Sequence, residues 1–400
     1  MRETIERRAM GLLSLGHLAT DYAAGSLPAL LVFLDQRYSL SNTLVAALML
    51  AATVSSSVVQ PLFGLISDKR GALWLIPAGI GTAGLCMGLI GVAPGYWVVF
   101  VLVLVGGLGV AAFHPEGAKF AAYASGPGRA RGMSYFNVGG NLGYALGAAV
   151  TTPLVVWLGL SGGALALLPV LIVAVALLRA MPSLARVHPP VTGRGGPTGS
   201  NRPWAMAQLG VVIVLRSVTW FALLTFVPLW WVAEGHSKVE GNRVLVLMLF
   251  VGAAGTLILG PVADRIGLRR TLWLTQAVIG PLTAVFVLVG GAIGVVAVSL
   301  VGLCVVGTFG VTMVMGQQYL PRSIGMASGL SIGLAMGLGG VAAVVLGAVA
   351  DAIDLRTALL ASAVAPALGT VLVGFLPPGA EPRPSPTAVP EAATGSATLT

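Results

Sequence analysis

Gly64-Leu65-Ile66-Ser67-Asp68-Lys69-Arg70-Gly71 recurs later in the chain as Gly260-Pro261-Val262-Ala263-Asp264-Arg265-Ile266-Gly267, followed by Leu268-Arg269-Arg270. The two aspartates are 196 residues apart, and each copy follows a long apolar run. A second echo pairs Gly132-Met133 with Gly325-Met326, an offset of 193 at which Gly140 meets Gly333 and Gly147 meets Gly340. Matching parts in matching order point to a duplicated unit, with the halves related about an axis along a membrane normal. A solute site is then expected between the halves, near mid-depth.

On either side of the repeated loops the chain alternates apolar runs with short polar breaks. Of its 400 residues 56% are hydrophobic and 9% charged, against roughly 25% charged in a soluble domain. Such a chain cannot cover itself with polar surface. At ~20 apolar residues per bilayer crossing, six spans are read at 11–34, 41–66, 72–93, 96–124, 131–158 and 161–181, and six more at 204–232, 242–264, 271–290, 292–318, 324–350 and 355–376. The fold class is therefore an all-α membrane protein of 12 transmembrane helices in two pseudo-symmetric six-helix bundles. The first bundle takes residues 1–181 and the second 204–376. Between them, 182–203 has the Pro/Gly composition of a cytoplasmic linker, and 377–400 that of a disordered tail.

Charge sets the orientation. With the N-terminus inside, sixteen Lys and Arg fall on the cytoplasmic side, and only Arg37, Lys238, Arg243 and Arg356 on the other. That asymmetry obeys the positive-inside rule and places both termini in the cytoplasm. The net charge of +9 thus serves topology, and no nucleic-acid partner is expected because the basic residues are spread between apolar runs. Arg2, Arg7 and Arg8 give the N-terminus a signal-like flank, but His17, Asp21 and Pro28 interrupt the run that follows, so it reads as a retained first span. Cys86 and Cys304 lie far apart inside apolar runs and suggest neither a disulfide framework nor a metal site.

The repeated loop resembles the signature loop of major facilitator superfamily transporters, and the resemblance runs from the first span to the last. Within the superfamily, several stretches are similar to the fosmidomycin-resistance branch of bacterial efflux proteins. They are His17 to Pro28; Phe113-His114-Pro115-Glu116-Gly117-Ala118-Lys119; Phe136-Asn137-Val138-Gly139-Gly140-Asn141-Leu142-Gly143; Leu215-Arg216-Ser217 with Thr225-Phe226-Val227-Pro228; and Gln317-Gln318-Tyr319-Leu320-Pro321 with Gly325-Met326-Ala327-Ser328-Gly329. The resemblance implies that Gly64, Asp68, Lys69, Arg70 and Gly71 form a gating loop that locks the inside-closed face, with Asp264 and Arg265 as its second copy. It also exposes two departures. Ala148 stands where the fifth-span signature of drug antiporters has Pro, and the early fourth span reads Gly106-Gly107-Leu108-Gly109 without the Arg of many proton antiporters.

Ionisable groups inside spans need a reason, because a charge at the bilayer centre costs at least ~2.5–3.5 kcal/mol. Asp21 and Arg216 lie about halfway along the first and seventh spans, corresponding helices of the two halves. Either they face a shared cavity, Arg216 attracting an anionic solute and Asp21 titrating, or they form a structural ion pair. His17, one turn before Asp21, orients it, relays a proton or simply packs. In the fourth span Pro115 should kink the helix, with His114 beside it. Glu116 and Lys119 share a face there and either neutralise each other or carry and bias a proton. Asn137, Asn141, Gln317 and Gln318 offer uncharged hydrogen bonds that bind solute or join helices. The glycines from Gly139 to Gly147 and from Gly333 to Gly340 read first as close-packing surfaces.

No phosphate-binding loop and no His/Cys metal spacing occurs, so no cofactor is expected and neither enzyme chemistry nor ATP drive is legible. The expected partners are a small-molecule substrate, protons and membrane lipid, with the chain acting as a monomer in a bacterial cytoplasmic membrane. The leading reading is proton-coupled efflux of a small anionic or drug-like compound. Import by a facilitator or symporter is the alternative, and a non-transporting sensor or assembly subunit the reading of another class.

Overall fold

In hydrocarbon every backbone N–H and C=O must find its partner within the protein, so apolar segments of this length become helices. The computed structural model describes residues 6–60, 62–63, 66, 72–125, 129–187, 200–322 and 324–377, and its regular elements are helical throughout. Five members of the first gating-loop copy, Gly64, Asp68, Lys69, Arg70 and Gly71, lie outside the described residues, as do 188–199 of the expected linker and 378–400 of the expected tail.

In the first half, span 1 is Arg7–Tyr38, span 2 Asn42–Ser57, span 3 Leu75–Leu89, span 4 Tyr96–Ala124 and span 5 Arg129–Leu158, with span 6, Leu167–Leu184, entered through the 3-10 segment Leu160–Ala166. In the second half, span 7 is Pro203–Ala233, span 8 Lys238–Ile266, span 9 Leu268–Val289, span 11 Ile324–Ala352 and span 12 Leu355–Phe375. Span 10, read as one helix, is two: Gly291–Gly307 and Phe309–Tyr319, separated at Thr308 (φ −94°, ψ 2°). Among the described residues eleven helical stretches are long and apolar enough to cross a bilayer, and the helix of span 2 is a shorter apolar one.

Helix ends follow local chemistry. Ser41 accepts the Leu44 N–H at 3.2 Å to open span 2, and Ser237 with Glu240 forms a capping box that opens span 8. Gly267, at φ 93°, ends span 8 in a backbone conformation that side-chain-bearing residues rarely adopt. Large apolar side chains point outward, among them Ile172, Leu257, Val345 and Phe375, as expected where the solvent is lipid. Exposed Trp74, Trp97, Trp157 and Trp204 lie near helix ends, as in an interfacial aromatic belt.

Within the first half, span 1 packs along span 5 over most of its length. Side-chain-free positions make that approach: a Cβ on Gly139, Gly143 or Gly147 would collide with the backbone of Ser14, Leu18 or Tyr22. The counterpart glycines of span 11 do not repeat this. Gly340 instead meets Thr53 and Leu50 of span 2, across the divide between halves. The halves join chiefly through spans 2 with 11 and 5 with 8.

Candidate functional site

Asp21 is the fifteenth of 32 residues in span 1, and Arg216 the fourteenth of 31 in span 7. Each sits near the middle of its helix, and they do not form an ion pair. Asp21 is instead held by two histidines. His17 Nε2 lies 3.3 Å from Asp21 Oδ2, one turn back on the same helix, and His114 Nε2 lies 3.3 Å from Oδ1, brought in by span 4.

The other ring nitrogens fix the chemistry of this cluster. His17 Nδ1 donates to the Phe136 carbonyl of span 5 at 2.8 Å, and His114 Nδ1 to the Val110 carbonyl at 2.8 Å. A carbonyl only accepts, so both Nδ1 atoms carry hydrogen and both Nε2 atoms face the carboxylate. A neutral ring in that tautomer turns a lone pair toward Asp21; an added proton converts the contact into N–H···O. The His17 ring stacks on Phe136 with centroids 4.1 Å apart and meets His114 edge-on at 5.1 Å. Gly140 closes the cluster from span 5: a Cβ there would strike His17 Nε2 and Asp21 Oδ2. The Asp21 and His114 side chains keep 19% and 25% of their surface accessible, whereas that of His17 keeps 9%.

Lower on span 4, Lys119 Nζ reaches the Oε2 of Glu116 at 3.3 Å, and Glu116 is buried. The expected pairing of these two residues is present. On span 5 Asn137 is exposed, and Asn141 Nδ2 donates to Thr256 Oγ1 of span 8 at 3.1 Å, so this side chain joins the halves. Gln317 and Gln318 are half-buried in the second helix of span 10. Asp264 and Arg265 are exposed at the end of span 8 and form no ion pair among the described residues.

Arg216 is only 1% exposed. Its Nη1 donates to Thr308 Oγ1 at 2.7 Å, at the break in span 10, and its Cζ lies 4.8 Å from the ring centroid of Phe309. Nε and Nη2 are buried without a hydrogen-bond partner among the described residues, and no carboxylate pairs with the group. One charged hydrogen bond and one cation–π contact contribute about 1.5–3 and ~1–2 kcal/mol. Burying the charge at mid-bilayer costs ~2.5–3.5 kcal/mol, and each unpaired donor adds about 1–3 kcal/mol. The two unpartnered donors therefore leave part of the burial cost uncompensated among the described residues.

Thr308, Phe309 and Thr256 escaped the sequence reading because a hydroxyl or aromatic residue in an apolar run carries no signal of its own. Gln276 escaped it too, a fully buried amide on span 9 with both polar atoms unpaired among the described residues.

A family model described as Major Facilitator Superfamily matches residues 13–343. The chain belongs to the major facilitator superfamily. Membership makes it a multi-pass membrane transporter of small-molecule substrates. Among similar superfamily proteins, the uncharacterized MFS-type transporter YfnC of Bacillus subtilis is 31% identical over 384 residues, 92% of each chain. The fosmidomycin resistance protein of Escherichia coli is 28% identical over 375 residues, again 92% of each chain. Among solved structures, a bacterial homolog of the human lysosomal transporter Spinster, inward-facing and occupied, superposes with a TM-score of 0.79 at 12% identity, covering 94% of this chain and 97% of that one. A point mutant of the nucleoside transporter NupG does so with a TM-score of 0.72 at 12% identity, covering 92% and 99%. These structures share the superfamily fold with this chain.

Proposed function

We propose that this superfamily member is a secondary active transporter that exports a small anionic or drug-like compound across a bacterial cytoplasmic membrane in exchange for protons. The observation that carries the reading is the division of labour between the halves. The first brings together a convergent, partly buried His17–Asp21–His114 cluster suited to holding protons, and the second buries a guanidinium with no carboxylate partner among the described residues. The likeness to a fosmidomycin resistance protein supports export.

In this mechanism protons enter at Nε2 of His17 and His114 and at Asp21, and leave them on the other side of the membrane. Anion binding at Arg216 and proton binding at Asp21 alternate as the halves rock about the contacts of spans 2 with 11 and 5 with 8. The second carboxylate, Glu116, lies two residues from His114 and, with Lys119, tunes or relays the proton. The gating-loop residues act at the inner face. Transport in inverted membrane vesicles tests the reading. Screened against anionic antibiotics and metabolites, acid-inside vesicles should accumulate the substrate and lose it on adding an uncoupler. Accumulation indifferent to the uncoupler would refute proton coupling, and flux only in right-side-out vesicles would indicate import.

A further inference from the structure

The three nitrogens of Arg216 have different surroundings, and the difference specifies a ligand. Nη1 is committed to Thr308 Oγ1, and that hydroxyl donates its own hydrogen to the Cys304 carbonyl at 2.6 Å, so Thr308 can only accept from Arg216. The Phe309 ring covers one face of the guanidinium. Nε and Nη2, the two nitrogens without a partner, share one edge of the guanidinium plane, and one N–H of each points the same way. That edge is a preformed two-pronged donor, held by its anchors, whose two nitrogens are buried and have no hydrogen-bond partner among the described residues.

A second observation falls at the same place. Span 10 interrupts its helix at Thr308, the residue that anchors Arg216. Broken helices at mid-membrane accompany solute sites in transporters, because irregular backbone is tolerated where it borders a cavity.

We propose that the Nε–Nη2 edge of Arg216 binds an oxyanion bearing two oxygens side by side, such as an organic carboxylate, phosphonate or sulfonate, through two parallel hydrogen bonds. Thr308 and Phe309 are positioning residues that set the plane of the fork. The proposal rests on the transport reading for its place in a cycle, and it narrows the substrate class to molecules with such a group. A point anion does not satisfy the fork. Neither does lysine at position 216, which keeps the charge but lacks the planar pair of donors.

The test uses the purified full-length protein and thermal-shift titration. Acetate and methylphosphonate are the probes, acetamide the uncharged control of similar shape, and chloride at matched ionic strength the point-charge control. The wild type should be stabilised by both oxyanions and by neither control. Arg216→Lys should weaken oxyanion binding about tenfold or more. Thr308→Val, which keeps the charge and the side-chain volume, should weaken it less and decides the matter should the lysine variant fail to fold. No response of the wild type to either oxyanion, an equal response to chloride, or unchanged binding in both variants would overturn the proposal. The transport reading fails separately: fork-dependent binding without uncoupler-sensitive flux would sink the exchange mechanism and leave the anion site standing. Flux retained by variants that bind oxyanions as the wild type does would do the reverse.

Discussion

Asp21 holds its two imidazoles through opposite oxygens, so the cluster loses its centre if that carboxylate goes. Asp21→Asn keeps the volume but cannot carry a negative charge between the rings. It should reduce proton-driven flux to the level of vesicles lacking the protein while leaving expression and detergent stability unchanged. Gly140→Ala tests the same centre from span 5, since the added methyl must displace His17 Nε2 or Asp21 Oδ2. A displacement of about 1 Å at a reacting centre can cost on the order of a hundredfold. A fall of ~10- to 100-fold in initial rate is expected, again in a folded protein. Two of the three members of this cluster were readable in advance: His17 and Asp21 are one turn apart on one helix, a relation that spacing alone reveals. His114 was picked out as an ionisable residue inside a span, but its partnership with Asp21 depends on how spans 1 and 4 face each other. Arg216 was placed by depth and charge, whereas Thr308 and Phe309 became part of its site only where span 10 breaks.

The elements that join the halves carry predictions of their own. Asp351, at the end of span 11, accepts from the Asn42 and Thr43 backbone N–H groups at 2.7 and 2.9 Å and from the Asn42 amide and Thr43 hydroxyl at 2.9 and 2.5 Å. A carboxylate is thereby set on the N-terminal end of span 2, where the helix dipole favours it. Asn242 of span 8 adds a second tie at the same end, donating to Ala29 O at 2.9 Å and to Thr152 Oγ1 at 3.1 Å. Asp351→Asn should weaken this closure by ~1–2 kcal/mol, a factor of roughly 5–30 in the gating equilibrium. The check is faster alkylation of a cysteine introduced at Ala350, which is buried beside Asp351. Within the first half, Gly143→Val should force span 5 off span 1, because a side chain there meets the Leu18 backbone. Overpacking of this kind costs about 1–3 kcal/mol, visible as a lower midpoint of thermal unfolding. Asp351 and Asn242 were hard to read because both stand at the edges of apolar runs, where a polar residue looks like a boundary marker. Hydropathy finds where a helix stops and is silent about which neighbour its last residue grips.

For the whole molecule, twelve helices were legible because lipid leaves few options: apolar runs of sufficient length must be helical, and the Gly-x-x-x-Asp repeat announced the duplication. What the pattern concealed is how differently the two halves pack their corresponding residues. The counterpart of Asp21's helix carries Arg216, and the counterpart of Gly147, which packs on span 1, is Gly340, which packs across the divide on span 2. Composition alone cannot express that asymmetry in packing; in the proposed mechanism one half carries the protons and the other the anion. Coupling is the central claim, and it predicts that anion entry and proton exit are one event requiring Asp21. The direct measurement is a pH-sensitive dye trapped in acid-inside inverted vesicles, read on addition of an anion that the purified protein binds. Wild-type vesicles should turn alkaline inside in step with anion uptake, and Asp21→Asn vesicles should not respond. Anion uptake without a pH change in the wild type, or an undiminished pH change in Asp21→Asn, would contradict the account.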